Sequence, residues 1–132
     1  MYNIGNMLIQ LKNAQVSRQE RASVPFSKVK YEIAKVLKEN DFVQSVDIKK
    51  KKMKKSEVSF LDVKLKYVDG QGAISGVKFL SKPSRRLYIK SKDIRPVKSG
   101  YGILILSTPK GILVGKDARK QKLGGEVIAE IW

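Results

Sequence analysis

The chain has 132 residues, 42% of them apolar, with 28 Lys and Arg against 12 Asp and Glu and a formal net charge of +16. That length and apolar content suit one ordinary core or two small ones, and exclude both a disordered basic tail and a large enzyme with a deep pocket. Cysteine and histidine are both absent, which removes disulfides, thiolate nucleophiles, Cys/His zinc fingers and imidazole acid–base chemistry.

Ile4, Met7, Leu8, Leu11 and Ala14 recur at helical spacing, so the chain is expected to open with an amphipathic helix capped by Asn3. A polar stretch, residues 17 to 21, leads to a short strand at Val24-Pro25. Ser27 can cap a second helix that turns Val29, Ile33 and Leu37 inward, flanked by Ala34 and Val36, and ends near Asn40-Asp41. Residues 42 to 49 and 58 to 68 alternate as strands, the second with an irregularity expected near Leu61-Asp62. Between them, residues 49 to 55 hold six lysines in seven positions. Charges so crowded cannot be buried, and the expectation is an exposed hairpin loop. Asp69-Gly70-Gln71-Gly72 reads as a turn and residues 73 to 80 as a further strand.

A junction near residues 76 to 84 carries Gly76, Pro83 and Ser84. Short strands follow at 86 to 90, 102 to 107, 111 to 115 and 126 to 132, rich in Ile and Val. Residues 116 to 122 suit one or two helical turns. The expected class is α+β: an amino-terminal α/β domain with two helices and a small sheet over residues 1–76, and a carboxy-terminal mainly β domain with a short helix over 77–132.

The charge selects the partner. Residues 1–76 carry a net +7 and the shorter second part +9, a field that attracts a polyanion and repels copies of the chain. Nucleic acid is the economical ligand. A membrane surface fits less well, because the charge is not confined to one helix with a bulky apolar face. The longest apolar runs are only a few residues, so no signal peptide or membrane span is expected, and a cytoplasmic location follows by default. Carboxylates are scattered, so neither catalysis nor a bound metal or cofactor is expected.

The first candidate site is Ser107-Thr108-Pro109-Lys110-Gly111, a stiff turn between two expected strands. Its hydroxyls can meet a base edge, ribose or phosphate, although for the motif in isolation a plain hairpin turn is the simpler explanation. Lys110, Lys116, Arg119, Lys120 and Lys122 lie close enough in sequence to neutralise phosphates around it. Gly124-Gly125-Glu126 lacks the spacing of a phosphate loop. Its glycines let the chain turn into the last strand, while Glu126 either pairs with an Arg or accepts from RNA. Tyr88, with Arg85, Arg86 and Lys90 as neighbours, either stacks on a base or ribose or packs in the core. Trp132 is expected to pack against the β unit. Lys12 and Asn13 with Asn6 and Gln10 on the first helix, and Ser27, Lys28 and Lys30 at the start of the second, are further candidates for sugar and phosphate.

These residues resemble a known family. Ser107-Thr108, Gly111, Ala118-Arg119, Gly124-Gly125-Glu126 and Trp132 stand in the order and spacing of the bacterial-type small-subunit ribosomal protein eight. Ile4, Met7-Leu8, Lys12-Asn13, Pro25, Ser27-Lys28, Lys30, Ser81-Lys82-Pro83, Arg86 and Tyr88 extend the similarity over nearly the whole length. The resemblance implies a protein bound to a helical element in the central domain of small-subunit rRNA, supporting its assembly beside neighbouring ribosomal proteins and, in many bacteria, repressing its own operon mRNA. It implies principal RNA contacts by Ser107 and Thr108, with Glu126 and Tyr88 nearby. The chain departs from the family pattern at Asn6 (usually Asp), Gln10 (often Arg), Asp41 and Ser84 (often Gly) and Pro109 (often Ser). Two rivals remain: a general nucleic-acid chaperone, and a small RNA-processing factor using Asp117 and Glu126.

Overall fold

In the computed structural model, which describes every residue except Met1, Pro83, Lys98 and Ser99 and only the backbone of Tyr2, Asn3 and Ile4, the class is the α+β expected. Two compact units are present: Met7–Ala73, and Met1–Asn6 with Ile74–Trp132. The expected junction residue Pro83 and the side chains of Asn3 and Ile4 lie outside the described atoms.

Helix α1 (Tyr2–Val16), which belongs to the first unit from Met7 onward, starts before Asn3, so that residue is inside the helix and not its cap. Met7, Leu8, Leu11 and Ala14 are buried as the periodicity predicts. Strand β1 (Arg21–Pro25) leads to helix α2 (Lys28–Glu39), where Ser27 Oγ accepts a 3.1 Å hydrogen bond from Lys30 N and caps the first turn. The buried stripe is Lys30, Ile33, Ala34, Val36 and Leu37, whereas Val29 is 42% exposed. Lys30 takes the inward place expected of Val29 because positions i, i+3, i+4 and i+7 from residue 30 share one face, and a lysine stem can cover apolar surface.

Both helices of this unit close with the same hydrogen-bond pair. After α1, Arg18 N donates to Gln15 O and Gln19 N to Ala14 O; after α2, Asp41 N donates to Lys38 O and Phe42 N to Leu37 O. These are Schellman ends, which require a left-handed residue just past the helix, usually glycine. Arg18 (φ 60°) and Asp41 (φ 65°) occupy it here.

Strands β2 (Val43–Met53) and β3 (Ser56–Leu65) form a long antiparallel hairpin, and β1 adds to β3 in the order β1-β3-β2. Two expectations fail in this hairpin. The lysine tract is strand, not loop: Lys49 to Lys52 pair with Phe60 to Glu57, and only Lys54-Lys55 make the turn. Pairing satisfies the backbone while every lysine side chain stays in water, so crowding does not forbid the strand. Nor is β3 irregular at Leu61-Asp62. Its register runs unbroken from residue 56 to 64, Leu61, Val63 and Leu65 are buried on one face, and the irregularity lies in β2 between Val43 and Ser45. Apolar Val58 and Phe60 on the other face only mimic a change of phase.

A small hairpin, β4 (Tyr67–Val68) and β5 (Gln71–Gly72), closes this unit, so the expected strand over 58 to 68 breaks at Lys66 and the four-residue turn shrinks to Asp69-Gly70. Both turn residues have positive φ, 52° and 79°, the geometry of a two-residue hairpin turn.

In the second unit only Val77–Phe79 (β6) and Tyr88–Ile89 (β7) are strand within the longer segments expected there. A one-turn helix at Ser91–Asp93 precedes β8 (Ile103–Thr108), β9 (Gly111–Val114), α3 (Gly115–Lys120) and β10 (Gly125–Ile131). The sheet order is β6-β10-β8-β9, with β7 also on β10. Ile94, Val97, Leu104, Leu106, Ala118 and Val127 form one core cluster, against which Leu87, Leu113 and Trp132 pack. The carboxy-terminal Trp is therefore the anchor expected, and its backbone N–H donates to Gly76 O at 3.1 Å. Helix α3 repeats the closure of α1 and α2: Lys122 N donates to Arg119 O and Leu123 N to Ala118 O, with Lys122 at φ 57°.

Candidate nucleic-acid interface

The turn between β8 and β9 is built from its own side chain. Thr108 Oγ1 donates to Gly111 O at 2.8 Å and accepts from Lys110 N at 3.2 Å. Gly111, at φ 107°, reverses the chain where an L side chain would be strained. Pro109 and Lys110 are exposed at the tip. Thr108 thus shapes the turn, and Ser107, exposed one residue earlier, is the freer hydroxyl.

Register places Ser107 in a line of four. Glu126 of β10 pairs with Tyr88 of β7 on one side and Ser107 of β8 on the other, and Ser107 pairs with Ile112 of β9. Residues directly opposite in antiparallel strands project to the same face, so Tyr88, Glu126, Ser107 and Ile112 form one rung. The neighbouring rung of Val127, Leu106 and Leu113 faces the other way, into the core cluster. Tyr88 is 72% exposed, which decides against the core reading of its ring. Glu126 is buried, and Arg86 Nη1 lies 3.7 Å from its Oε1, so the structural pairing considered for this carboxylate is present.

The turn itself falls at Gln121-Lys122, and neither Gly124 nor Gly125 has a positive φ. They allow close approach. A methyl group on Gly124 would lie 2.5 Å from Ile89 O, and one on Gly125 would overlap Ser107 O. The pair lets β7 and β8 close on β10, which sets the spacing of the rung.

The other candidates are dispersed. Lys116, Arg119 and Lys120 are exposed on α3, which lies against β8 and β9, and Lys122 is exposed just past it. Arg119 Nη1 reaches Ile94 O at 3.4 Å. Lys12, Asn13, Ser27, Lys28 and Lys30 belong to the first unit; Lys28 and Asn13 are exposed, Lys12 and Ser27 half-buried, and Lys30 buried. Gln10 donates to Ser23 O at 2.7 Å and ties α1 to β1. Sequence reasoning missed Ile112 as the fourth member of the rung, and the bracing role of the Thr108 hydroxyl. Neither had a signal along the chain: β9 reads Gly-Ile-Leu-Val with no polar–apolar alternation to single out Ile112, and the bracing bonds of Thr108 appear only in the folded turn. Among the described residues no group of three or more acidic, His or Cys side chains could hold a metal, and no helix is long and apolar enough to cross a membrane.

A basic chain that presents an aromatic, a hydroxyl and a carboxylate on one rung beside a braced hairpin turn has the makings of an RNA-binding protein. The family model described as Ribosomal protein S8 matches residues 3–132, and the chain belongs to that family. It is 42% identical over 129 residues to the small ribosomal subunit protein uS8 of Nitratidesulfovibrio vulgaris (strain DSM 19637 / Miyazaki F), covering 98% of this chain and 96% of that one. The uS8 proteins of Persephonella marina and Mycoplasmopsis synoviae are 42% and 41% identical at the same coverage. Membership makes this a ribosomal protein with a structural, RNA-binding role and not an enzyme.

Proposed function

We propose that this chain is a constituent of the small ribosomal subunit in the cytoplasm, binding a helical element in the central domain of small-subunit rRNA and supporting its assembly beside neighbouring small-subunit proteins. Its own operon mRNA, if it carries a similar element, is a second ligand. The carrying observation is the rung on which Tyr88, Glu126 and Ser107 stand in line next to the turn braced by Thr108. In this reading residues 77–132 are the RNA-binding domain and 1–76 the α/β domain that accompanies it.

Each residue has a part. Ser107 supplies a hydroxyl to a base edge or ribose, and the turn through Thr108, Pro109, Lys110 and Gly111 presents it. Tyr88 offers a ring for stacking, and Glu126, oriented by Arg86, accepts from an amino or hydroxyl group. Lys110, Arg119 and Lys122 contact phosphates. Lys12, Asn13 and Lys28 provide a secondary set on the other unit, where Ser27 caps the helix that carries Lys28 and the buried Lys30.

Crosslinking of the protein to total cellular RNA, with both crosslinked partners mapped, tests this. Crosslinks concentrated at residues 86–126 and at one helix of the central domain of small-subunit rRNA are the expected result. Crosslinks scattered over unrelated RNAs would identify a general chaperone instead, and RNA cleavage lost on changing Asp117 or Glu126 would identify a processing factor.

A further inference from the structure

The part of the β2–β3 hairpin beyond the three-stranded sheet has no role in the interface above. Strand β1 covers β3 only as far as the pair Pro25–Phe60, whereas β2 and β3 remain paired out to Met53–Ser56. The distal hairpin is therefore a two-stranded ribbon with both faces open, and every residue from 47 to 58 is exposed.

Its lysines are ordered. Lys50 and Lys52, opposite Ser59 and Glu57, share one face; Lys49 and Lys51, opposite Phe60 and Val58, share the other; Lys54 and Lys55 form the tip. Lys49 is engaged by Asp62 at 2.9 Å; of the two acidic residues in the exposed stretch, Glu57 lies across from Lys52, and Asp47 stands at its base on the face of Lys49. Lys50, Lys51, Lys54 and Lys55 have no ion-pair partner among the described residues. Same-face neighbours along a strand stand about 6.8 Å apart, a reach suited to successive phosphates of one nucleic-acid strand. On the face of Lys51, Val58 and Met53 are 47% and 55% exposed, a modest apolar strip that fits ribose better than phosphate.

We propose that this ribbon is a second RNA-binding arm, which lies along duplex RNA and grips its sugar–phosphate backbone irrespective of sequence. The proposal rests on the rRNA reading above for the identity of the polyanion. A duplex suits the ribbon because A-form RNA displays phosphates and 2′-hydroxyls across a wide, shallow minor groove and is recognised there mainly by shape. Lysines also guard exposed sheet edges against aggregation, and β2 is an edge strand. Edge protection does not call for lysines on both faces and around the tip, where they repel one another until a polyanion neutralises them.

The test measures binding of the full chain to a mixed-sequence RNA duplex over a range of salt, beside vesicles containing anionic lipid. The combined Lys50→Gln, Lys51→Gln, Lys54→Gln and Lys55→Gln variant should lower the slope of log K against log salt by about 2–3, since each lost phosphate contact removes roughly 0.7–0.9 and Lys50 and Lys51, on opposite faces, do not both meet one duplex. Glu57→Gln should steepen the slope and tighten binding, and it keeps the proposal falsifiable should the fourfold variant misfold. An unchanged slope in both variants would overturn the arm. So would a fourfold variant that keeps its duplex affinity but self-associates, which assigns the lysines to edge protection, or one that loses only vesicle binding. Crosslinking separates the two readings: the parent should crosslink to the mixed-sequence duplex within residues 50–55, whereas an absence of crosslinks from residues 86–126 to the mapped rRNA element would overturn the turn and not the ribbon.

Discussion

The backbone of Gly125 runs so close to the carbonyl of Ser107 that a single added methyl group on Gly125 would overlap that oxygen. Strand β10 reaches its neighbours at the rung of Tyr88, Glu126 and Ser107 only because residue 125 has no side chain. The obstacle is backbone, which cannot swing aside as a flexible side chain can. Gly125→Ala should therefore destabilise the protein by about 1–3 kcal/mol, in the range of other overpacking changes, and displace Ser107 relative to Glu126. Denaturant unfolding would show the lowered midpoint, and affinity for the mapped rRNA element should fall beyond what unfolding explains.

Asp41 occupies a left-handed position at the end of α2 that glycine fills without cost. Its carboxylate lies 3.4 Å from Lys66 Nζ but is 83% exposed, so that ion pair contributes little. Asp41→Gly should raise stability by about 0.5–1 kcal/mol, seen as a higher melting temperature with RNA binding unchanged. Arg18 stands in the equivalent place after α1, yet its guanidinium donates to Gly70 O. Arg18→Gly should therefore gain less than Asp41→Gly, and the difference between the two melting shifts measures the worth of that side chain.

What could be read from the sequence follows from which forces are local. The Ser27 cap, the end of α2 at Asn40-Asp41 and the turn at Ser107 to Gly111 each rest on chemistry within a few residues, and each appears where the sequence places it. The lysine tract misled because repulsion between its side chains is visible in the sequence, whereas the ladder to β3 that holds it as strand depends on residues 56 to 60. Asp62 belongs with these non-local cases. A carboxylate in a strand suggests a break in the pattern, but Arg21 and Lys49 come from two other strands to cover it. The rung at the candidate site is likewise a product of register: four strands contribute one residue each, and no spacing along the chain announces it.

Asp62 makes stability depend on pH. The hydrogen bond from Lys49 chiefly, with the charges of Lys49 and Arg21, holds its carboxyl below the usual aspartate range against the opposing effect of burial. A carboxyl depressed in the folded state contributes stability that is complete above its unfolded value, about 3.9, and is lost as pH falls through the lower folded value. Stability should drop below about pH 4 partly through this group. Asp62→Asn should be less stable than the parent at neutral pH and flatten that acid limb. A variant whose stability falls with acid as steeply as the parent would assign the acid sensitivity to other carboxylates.

The hydroxyl of Thr108 and the hydroxyl of Ser107 should separate by experiment, although they are adjacent and both belong to the candidate site. Thr108 Oγ1 is engaged twice within the turn, to Gly111 O and from Lys110 N, whereas Ser107 is exposed at the end of its strand. Thr108→Val keeps the shape and removes both bonds, so it should cost about 1 kcal/mol of stability per bond at most and loosen the presentation of Ser107 and Lys110. Thr108→Ser keeps the oxygen and should restore stability and affinity together. Ser107→Ala should leave thermal unfolding unchanged within about 0.5 kcal/mol and weaken the complex with the mapped rRNA element by about 1–3 kcal/mol, the cost of stranding a buried partner on the RNA. Equal loss of stability in Ser107→Ala and Thr108→Val would mean that Ser107 also serves the hairpin. A loss of affinity confined to Ser107→Ala, with Thr108→Val losing affinity only in step with stability, would assign the reading of RNA to one hydroxyl and the shaping of the turn to the other.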